Sequence, residues 1–187
     1  MRRIIFFGDS LTAGFGLSNP GKESLPALIQ QKIGESKLAY EVVNAGINGD
    51  TSSGGLSRLG YWMNSPMDIF ILELGINDAL RGLPVTATYR NLDTILKKVR
   101  QKYPACKLLI LGMEMPGIIP SPKLDEFRGI FRKLADEHQA VFIPFFLEGV
   151  AGIKHLNLRD GIHPSSKGYQ IIAENVWPTI KGMLSES

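Results

Sequence analysis

Apolar residues fall along the chain in five short, near-continuous runs, at about 3–7, 40–44, 68–74, 107–112 and 140–145. Short runs of β-branched and aromatic residues bounded by Gly, Asn or Pro mark strands buried on both faces. In Asp68-Ile69-Phe70-Ile71-Leu72-Glu73-Leu74 only the aspartate and the glutamate are polar. Between the runs the period becomes helical. Leu25, Leu28, Ile29 and Ile33 repeat at intervals of three and four, as do Leu92, Ile95, Leu96 and Val99 within 89–99. The same spacing runs through 124–135 and 167–183, and residues 52–63 carry a weaker form of it. Strands alternating with helices imply right-handed crossovers and a parallel sheet covered on both faces. The expected fold is α/β, a three-layer α/β/α sandwich on a five-stranded parallel sheet in flavodoxin-like order, forming a single domain over 1–187.

Composition narrows the function classes. With 187 residues, 44% hydrophobic and 21% charged, the chain is an ordinary globular one, long enough for one well-buried core. No apolar run approaches the ~20 residues that span a bilayer, so no integral membrane association is expected. Arg2-Arg3 followed by Ile4 to Phe7 imitates the start of a signal peptide, but its apolar core is too short and Gly8-Asp9 breaks it. The chain reads as cytoplasmic, or as a mature periplasmic or secreted form in which Met1 replaces a removed leader. Cys106, the single cysteine, excludes an intrachain disulfide and is expected to be a buried, inert thiol. Net charge is only +3, and the basic stretch 97–102 falls on the solvated face of a helix with no aromatic platform. Nucleic acid is therefore not an expected partner.

Four loops hold polar residues out of proportion to their length. In open parallel α/β sheets, ligands bind at the carboxyl edge of the strands, where three of these loops begin. In Gly8-Asp9-Ser10-Leu11, Asp9 and Ser10 are favoured helix caps; a serine there also faces the positive end of the following helix, which stabilises a developing anion. Asn44-Ala45-Gly46-Ile47-Asn48-Gly49-Asp50-Thr51 contains an Asn-Gly turn and two residues able to cap a helix; its functional reading rests on the Gly49 N–H, which can approach a substrate oxygen. In Glu73-Leu74-Gly75-Ile76-Asn77-Asp78, Asn77 is either a turn former or an amide donor to an oxyanion. Asp160-Gly161-Ile162-His163-Pro164-Ser165 is the most specific, because Pro164 stiffens the segment and a three-residue offset lets a carboxylate reach an imidazole. Its alternative is a capping aspartate beside an incidental surface histidine. Together the loops supply Ser, His and Asp, the parts of an acyl-transfer triad. His138, at a helix end, reads as a solvated cation, and His155 lies in a polar loop. Neither has a carboxylate placed as Asp160 is, and three scattered histidines with one cysteine form no metal-ligand pattern.

Taken in order, the four loops resemble the blocks of the SGNH, or GDSL, hydrolase superfamily, and its small lysophospholipase/thioesterase/arylesterase branch in particular. The first, third and fourth blocks match as they stand; in the second, Asn48 stands where many relatives have Ser. The resemblance spans almost the whole chain and implies Ser10 as nucleophile, His163 as general base and Asp160 as its orienting carboxylate. It implies an oxyanion hole made by the N–H groups of Ser10 and Gly49 and the side-chain amide of Asn77, and no cofactor or metal. Asp9 is expected to hold loops together rather than to react.

After the fourth strand the pattern departs from relatives that carry a basic residue and an Asn-Tyr-Gly stretch. Here the segment is Met113-Glu114-Met115-Pro116-Gly117-Ile118-Ile119-Pro120, whose Met and Ile side chains either line an acyl groove or close the top of the core. Leu11, Leu80, Met113, Met115 and Ile118 are the expected substrate contacts, and 79–84 is expected to fold over the substrate with Gly82 giving it freedom. The expected substrate is a small acyl ester or thioester of short-to-medium chain length. The alternatives are a carbohydrate acetylesterase on the same scaffold and a non-catalytic nucleotide- or flavin-binding module. The latter is disfavoured because the Gly-rich stretch 8–16 lacks Gly-x-Gly-x-x-Gly and a Walker-type lysine.

Overall fold

The computed structural model describes residues 2–113 and 122–185. The five apolar runs form β1 (Arg2–Gly8), β2 (Tyr40–Gly46), β3 (Ile69–Glu73), β4 (Lys107–Leu111) and β5 (Val141–Ile143). The helices are α1 (Ser10–Ala13), α2 (Pro20–Glu23), α3 (Leu25–Glu35), α4 (Ser52–Trp62), α5 (Ile76–Leu80), α6 (Val85–Lys102), α7 (Pro122–His138) and α8 (Ser166–Ser185). All strand pairs are parallel, in the order β2-β1-β3-β4-β5, the flavodoxin-like arrangement expected. Helices α3 and α8 pack together in one layer, and α4, α6 and α7 in another.

Burial follows the pattern that predicted these elements. Ile4 to Phe7 of β1 and Ile69 to Leu72 of β3 are buried, as are Leu92, Ile95, Leu96 and Val99 of α6. Within the basic stretch, Arg100 turns inward and donates to the carbonyls of Cys106 and His138, while Lys97, Lys98 and Lys102 stay exposed. Cys106 is buried just before β4, and burial pushes its thiol up to about 12. His138 is not the solvated cation expected: its Nε2 lies 2.9 Å from Asp93 Oδ1, and its side chain is 9% exposed between α6 and α7.

The differences from the sequence reading have local causes. Helices α1, α2 and α5 are too short to show a period. The weak signal over 52–63 is the full helix α4, in which Gly55 permits close packing against the core. A Cβ on Gly55 would overlap Leu74 Cδ1. Strand β5 stops at Ile143, before Pro144, which has no N–H for the ladder. Among the described residues no helix is long and apolar enough to cross a membrane.

Register fixes the place where chemistry can occur. Gly8 at the end of β1 lies level with Gly46 on β2 and with Glu73 on β3. The chain leaves β1 toward β2 on one side and reaches β3 on the other, so this edge is the topological switch point. A Cβ on Gly46 would overlap the Ala13 amide nitrogen and sit 2.8 Å from Asp9 O, both backbone atoms. Gly46→Ala is therefore expected to destabilise by about 1–3 kcal/mol or more. Gly129→Ala in α7, where a Cβ meets nothing within 4 Å, should stabilise by about 0.5–1 kcal/mol. Urea unfolding of the two variants checks both signs, and equal stability for Gly46→Ala would show that the switch point is not tightly packed.

Candidate active site

The site is built outward from Asp9. This residue caps α1, its Oδ1 accepting the Leu11 N–H at 3.0 Å, while its Oδ2 accepts a hydrogen from Asn77 Nδ2 at 2.9 Å. The other Asn77 amide hydrogen goes to Asp50 O, also at 2.9 Å. Beneath lies Glu73, entirely buried, whose Oε2 accepts from Thr12 Oγ1 at 2.7 Å and from the Asp9 N–H at 3.3 Å. Its Oε1 has no partner among the described residues. Only glycine fits at position 8, since a Cβ there would overlap Thr12 Oγ1. Burial raises Glu73 well above its ordinary value, the nearby Asp9 charge adding to the effect. Burial also lifts Asp9, to about 6, against the opposing pull of the Leu11 N–H, His163 and Asn77.

Ser10, at the first position of α1, points its Oγ to His163 Nε2 at 2.9 Å. The other ring nitrogen, Nδ1, lies 2.6 Å from Asp160 Oδ2. Asp160 Oδ1 in turn accepts the backbone N–H groups of Ile162 (2.9 Å) and His163 (3.0 Å). Gly161, at φ +71°, permits the tight turn this requires. Partial burial works to raise Asp160, but the hydrogen bonds from His163 and Ile162 outweigh it and hold the carboxyl down to about 2. The Phe15 ring stacks obliquely on the imidazole, centroids 4.7 Å apart. A hydroxyl against an imidazole whose far side meets a fixed carboxylate is an arrangement that can take a proton from the hydroxyl.

The N–H groups of Ser10 and Gly49 have no acceptor among the described residues. Gly49 adopts φ +71°, and its carbonyl accepts from Arg81 Nη2 at 2.7 Å, which fixes the direction of this peptide loop. Arg58 secures the loop from below. It bonds Asp50 Oδ2 at 2.7 Å, Ala45 O at 2.8 Å and Gly8 O at 2.9 Å, and stacks on Phe7 with 4.0 Å from guanidinium to ring centre. Asn77 reaches the same opening, but its two amide hydrogens both rest on protein acceptors.

The serine opens into a cleft of about 570 Å³ whose walls are mostly apolar: Leu11, Ile76, Leu80, Met113, Phe145 and Leu147. Thus Ser10, His163, Gly49, Asn77, Leu11, Leu80 and Met113 share one cleft, with Asp160 behind His163. Met113 is both things the sequence left open, since it is buried in the core and lines the cleft. Met115 and Ile118 lie outside the described residues. The expected covering loop 79–84 is instead the end of α5 and a turn closed by backbone bonds, Gly82 N–H to Ala79 O and Leu83 N–H to Asp78 O. Asp78 faces away from the cleft and binds Ser52 through both carboxylate oxygens. His155 sits in a short 3-10 turn, Lys154–Leu156. Among the described residues no three His, Cys, Asp or Glu side chains gather as metal ligands do.

Glu73, Arg58, Arg81 and Phe15 escaped the sequence reading. Glu73 alone left a trace, as the polar interruption of a strand otherwise apolar to its end. Two stability measurements test its environment. Glu73→Gln keeps an acceptor for the Asp9 and Thr12 donors and is expected within about 1 kcal/mol of wild type at pH 7, whereas Glu73→Ala strands them at roughly 1–3 kcal/mol each. For Asp9, whose folded pKa is raised, the linked stability is fully present below the unfolded value of 3.8 and is lost as pH rises through about 6. Unfolding free energies at pH 4 and 7.5 should therefore show the gap between wild type and Asp9→Asn narrowing on the order of 2–3 kcal/mol as pH rises. A gap that widened would contradict the burial argument.

Comparison with known proteins gives the family. The GDSL-like Lipase/Acylhydrolase family model matches residues 6–171. Esterase TesA of Pseudomonas aeruginosa is 35% identical over 182 residues, covering 97% of this chain and 89% of that protein. Thioesterase 1/protease 1/lysophospholipase L1 of Escherichia coli K12 is 36% identical, covering 91% of this chain and 79% of that protein. A crystal structure of TesA superposes with a TM-score of 0.90 at 34% identity, covering 97% of this chain and 99% of that one. The chain belongs to the GDSL-like lipase/acylhydrolase family and is a carboxylic ester hydrolase.

Proposed function

We propose that the protein hydrolyses short-to-medium acyl esters, and acyl thioesters, through an acyl-enzyme on Ser10. The observation that carries this reading is the continuous contact from Ser10 Oγ through His163 to Asp160, at 2.9 and 2.6 Å, opening onto an apolar cleft. His163 takes the Ser10 proton as the oxygen attacks the carbonyl, and Asp160 holds the imidazole in the required tautomer. The tetrahedral oxyanion meets the N–H groups of Ser10 and Gly49. Asn77 is the third donor. Its hydrogen toward Asp50 O rests on a neutral carbonyl, and a full negative charge competes well for it. Collapse transfers the His163 proton to the leaving group, and water activated by the same histidine releases the acid.

The apolar walls support the acyl preference over a sugar acetate. Each buried methylene is worth ~0.8 kcal/mol, so catalysis on aryl esters is expected to rise from acetyl to octanoyl. Leu80, 64% exposed at the rim, limits how much of a longer chain is covered, so gain should stop beyond medium length. A kcat/KM series on aryl esters of increasing chain length checks this. A maximum at acetyl, with better turnover of acetylated xylo-oligosaccharides, would favour the acetylesterase alternative.

The residue roles have a more direct test. A fluorophosphonate should label Ser10 alone at one equivalent, read by peptide mass spectrometry. Ser10→Ala should abolish turnover while changing stability by no more than about 1–2 kcal/mol. Asp160→Asn should lower kcat by roughly 10⁴, as in other triads. Labelling at a different serine, or full activity in Asp160→Asn, would overturn the assignment.

A further inference from the structure

His163 defines the leaving-group side of the cleft, because the departing atom must come within hydrogen-bond reach of Nε2 to be protonated. That nitrogen faces Ser10 Oγ at 2.9 Å, while Nδ1 is taken by Asp160. The Phe15 ring lies obliquely against the imidazole, centroids 4.7 Å apart and planes at 48°. Phe15 lines the cleft together with Gly161 and Ile162. Its backbone is tied to both members of the Ser10–His163 pair. The Phe15 N–H donates to Ser10 O at 3.0 Å. The next residue, Gly16, is pressed so close to the base loop that a Cβ there would overlap Leu158 Cδ1, and the Leu158 N–H donates to His163 O at 2.7 Å. Phe15 is nevertheless not a core residue, since 44% of it is exposed. Of the large hydrophobic side chains exposed among the described residues, only Phe15, Leu80 and Ile162 line the cleft. An apolar ring held rigidly with an open face gains when something apolar covers it.

We propose that Phe15 is a specificity-determining residue for the leaving group, a platform for a planar, apolar alcohol or thiol as His163 protonates it. The inference rests on the acyl-transfer reading of Ser10 and His163. Whatever is attached to the departing atom is held beside the imidazole, and so against the ring that packs on it. Around that point Phe15, Gly161 and Ile162 present no side-chain donor or acceptor. A polyol or sugar would give up water there without replacement, which costs free energy. A flat apolar group loses nothing of the kind and gains the offset or edge-to-face contact that aromatic pairs prefer. The acyl chain is recognised elsewhere, along Ile76, Leu80 and Met113, so the two halves of the ester are read by different residues.

Two octanoates with leaving groups of similar acidity and unlike shape test this: naphthyl octanoate, which is planar, and hexafluoroisopropyl octanoate, which is compact. The reading is the ratio of kcat/KM for the naphthyl ester to that for the hexafluoroisopropyl ester, in wild type, Phe15→Ala, Phe15→Leu and Phe15→Tyr. Because kcat/KM covers every step through departure of the leaving group, a loss caused by a disturbed His163 falls on both esters and cancels in the ratio. The ratio is expected to fall about tenfold in Phe15→Ala, to fall less in Phe15→Leu, which keeps apolar volume without the flat face, and to stay within about twofold of wild type in Phe15→Tyr. A ratio within about twofold of wild type in both Phe15→Ala and Phe15→Leu, even with both rates lowered, would leave Phe15 as a support for the imidazole alone and overturn the proposal. A fall in Phe15→Tyr as deep as in Phe15→Ala would overturn it too, since the ring would not be what is read. Failure of wild type to turn over either octanoate would instead contradict the acyl-transfer reading itself.

Discussion

Three chain segments are forced together at the carboxyl end of β1, and the rest of the site depends on that approach. Gly8, Gly46 and Glu73 lie level across three strands, and side chains at the two glycines would collide with neighbouring atoms. The space they leave is filled by Thr12, Glu73 and the backbone of Asp9 and Ala13, and the Asp9 side chain is fully buried. Because a buried carboxylate needs hydrogen-bond donors, Asp9 gathers them: the Leu11 N–H, which starts α1 and aims Ser10, and the Asn77 amide, which draws in the loop after β3. One burial event thereby sets both Ser10 and a wall of the cleft it opens into.

The same side-chain chemistry is turned to opposite ends within a few residues of space. Among the described residues no cation pairs with Glu73 or Asp9, and burial pushes both carboxyls up. Asp160 receives two backbone N–H groups and an imidazole, and its carboxyl is pulled down. A carboxyl held low beside the imidazole suits the role proposed for Asp160, the orientation of a ring that becomes positive during turnover. Arg58 and Arg81 act on backbone carbonyls rather than on substrate. They hold the 45–50 loop so that the Gly49 N–H stays free.

Much of this was legible in the sequence because it follows from local rules. Five buried strands show as apolar runs, and α6 shows as a clean three-four repeat. The Ser, Asp and His of the site stand in segments whose turns are marked by Gly and Pro. What stayed hidden depends on contacts between segments remote in the chain. Thr12 and Glu73 are 61 residues apart, and nothing near either announces the other. His138 read as a surface residue because its partner, Asp93, comes from another helix 45 positions away. Helix α4 was faint because Gly54, Gly55 and Gly60 interrupt the apolar period, Gly55 standing where a side chain would overlap Leu74.

The central claim is that Ser10 carries the acyl group after the leaving group has gone. Partitioning in water–methanol mixtures tests it most directly. Several octanoyl esters and thioesters with different leaving groups are hydrolysed at fixed methanol, and the ratio of octanoic acid to methyl octanoate is measured. A shared acyl-enzyme gives one ratio for every substrate, because the partner that water and methanol attack is the same in each case. Ratios that changed with the leaving group would show direct attack of water on bound substrate and would contradict the account.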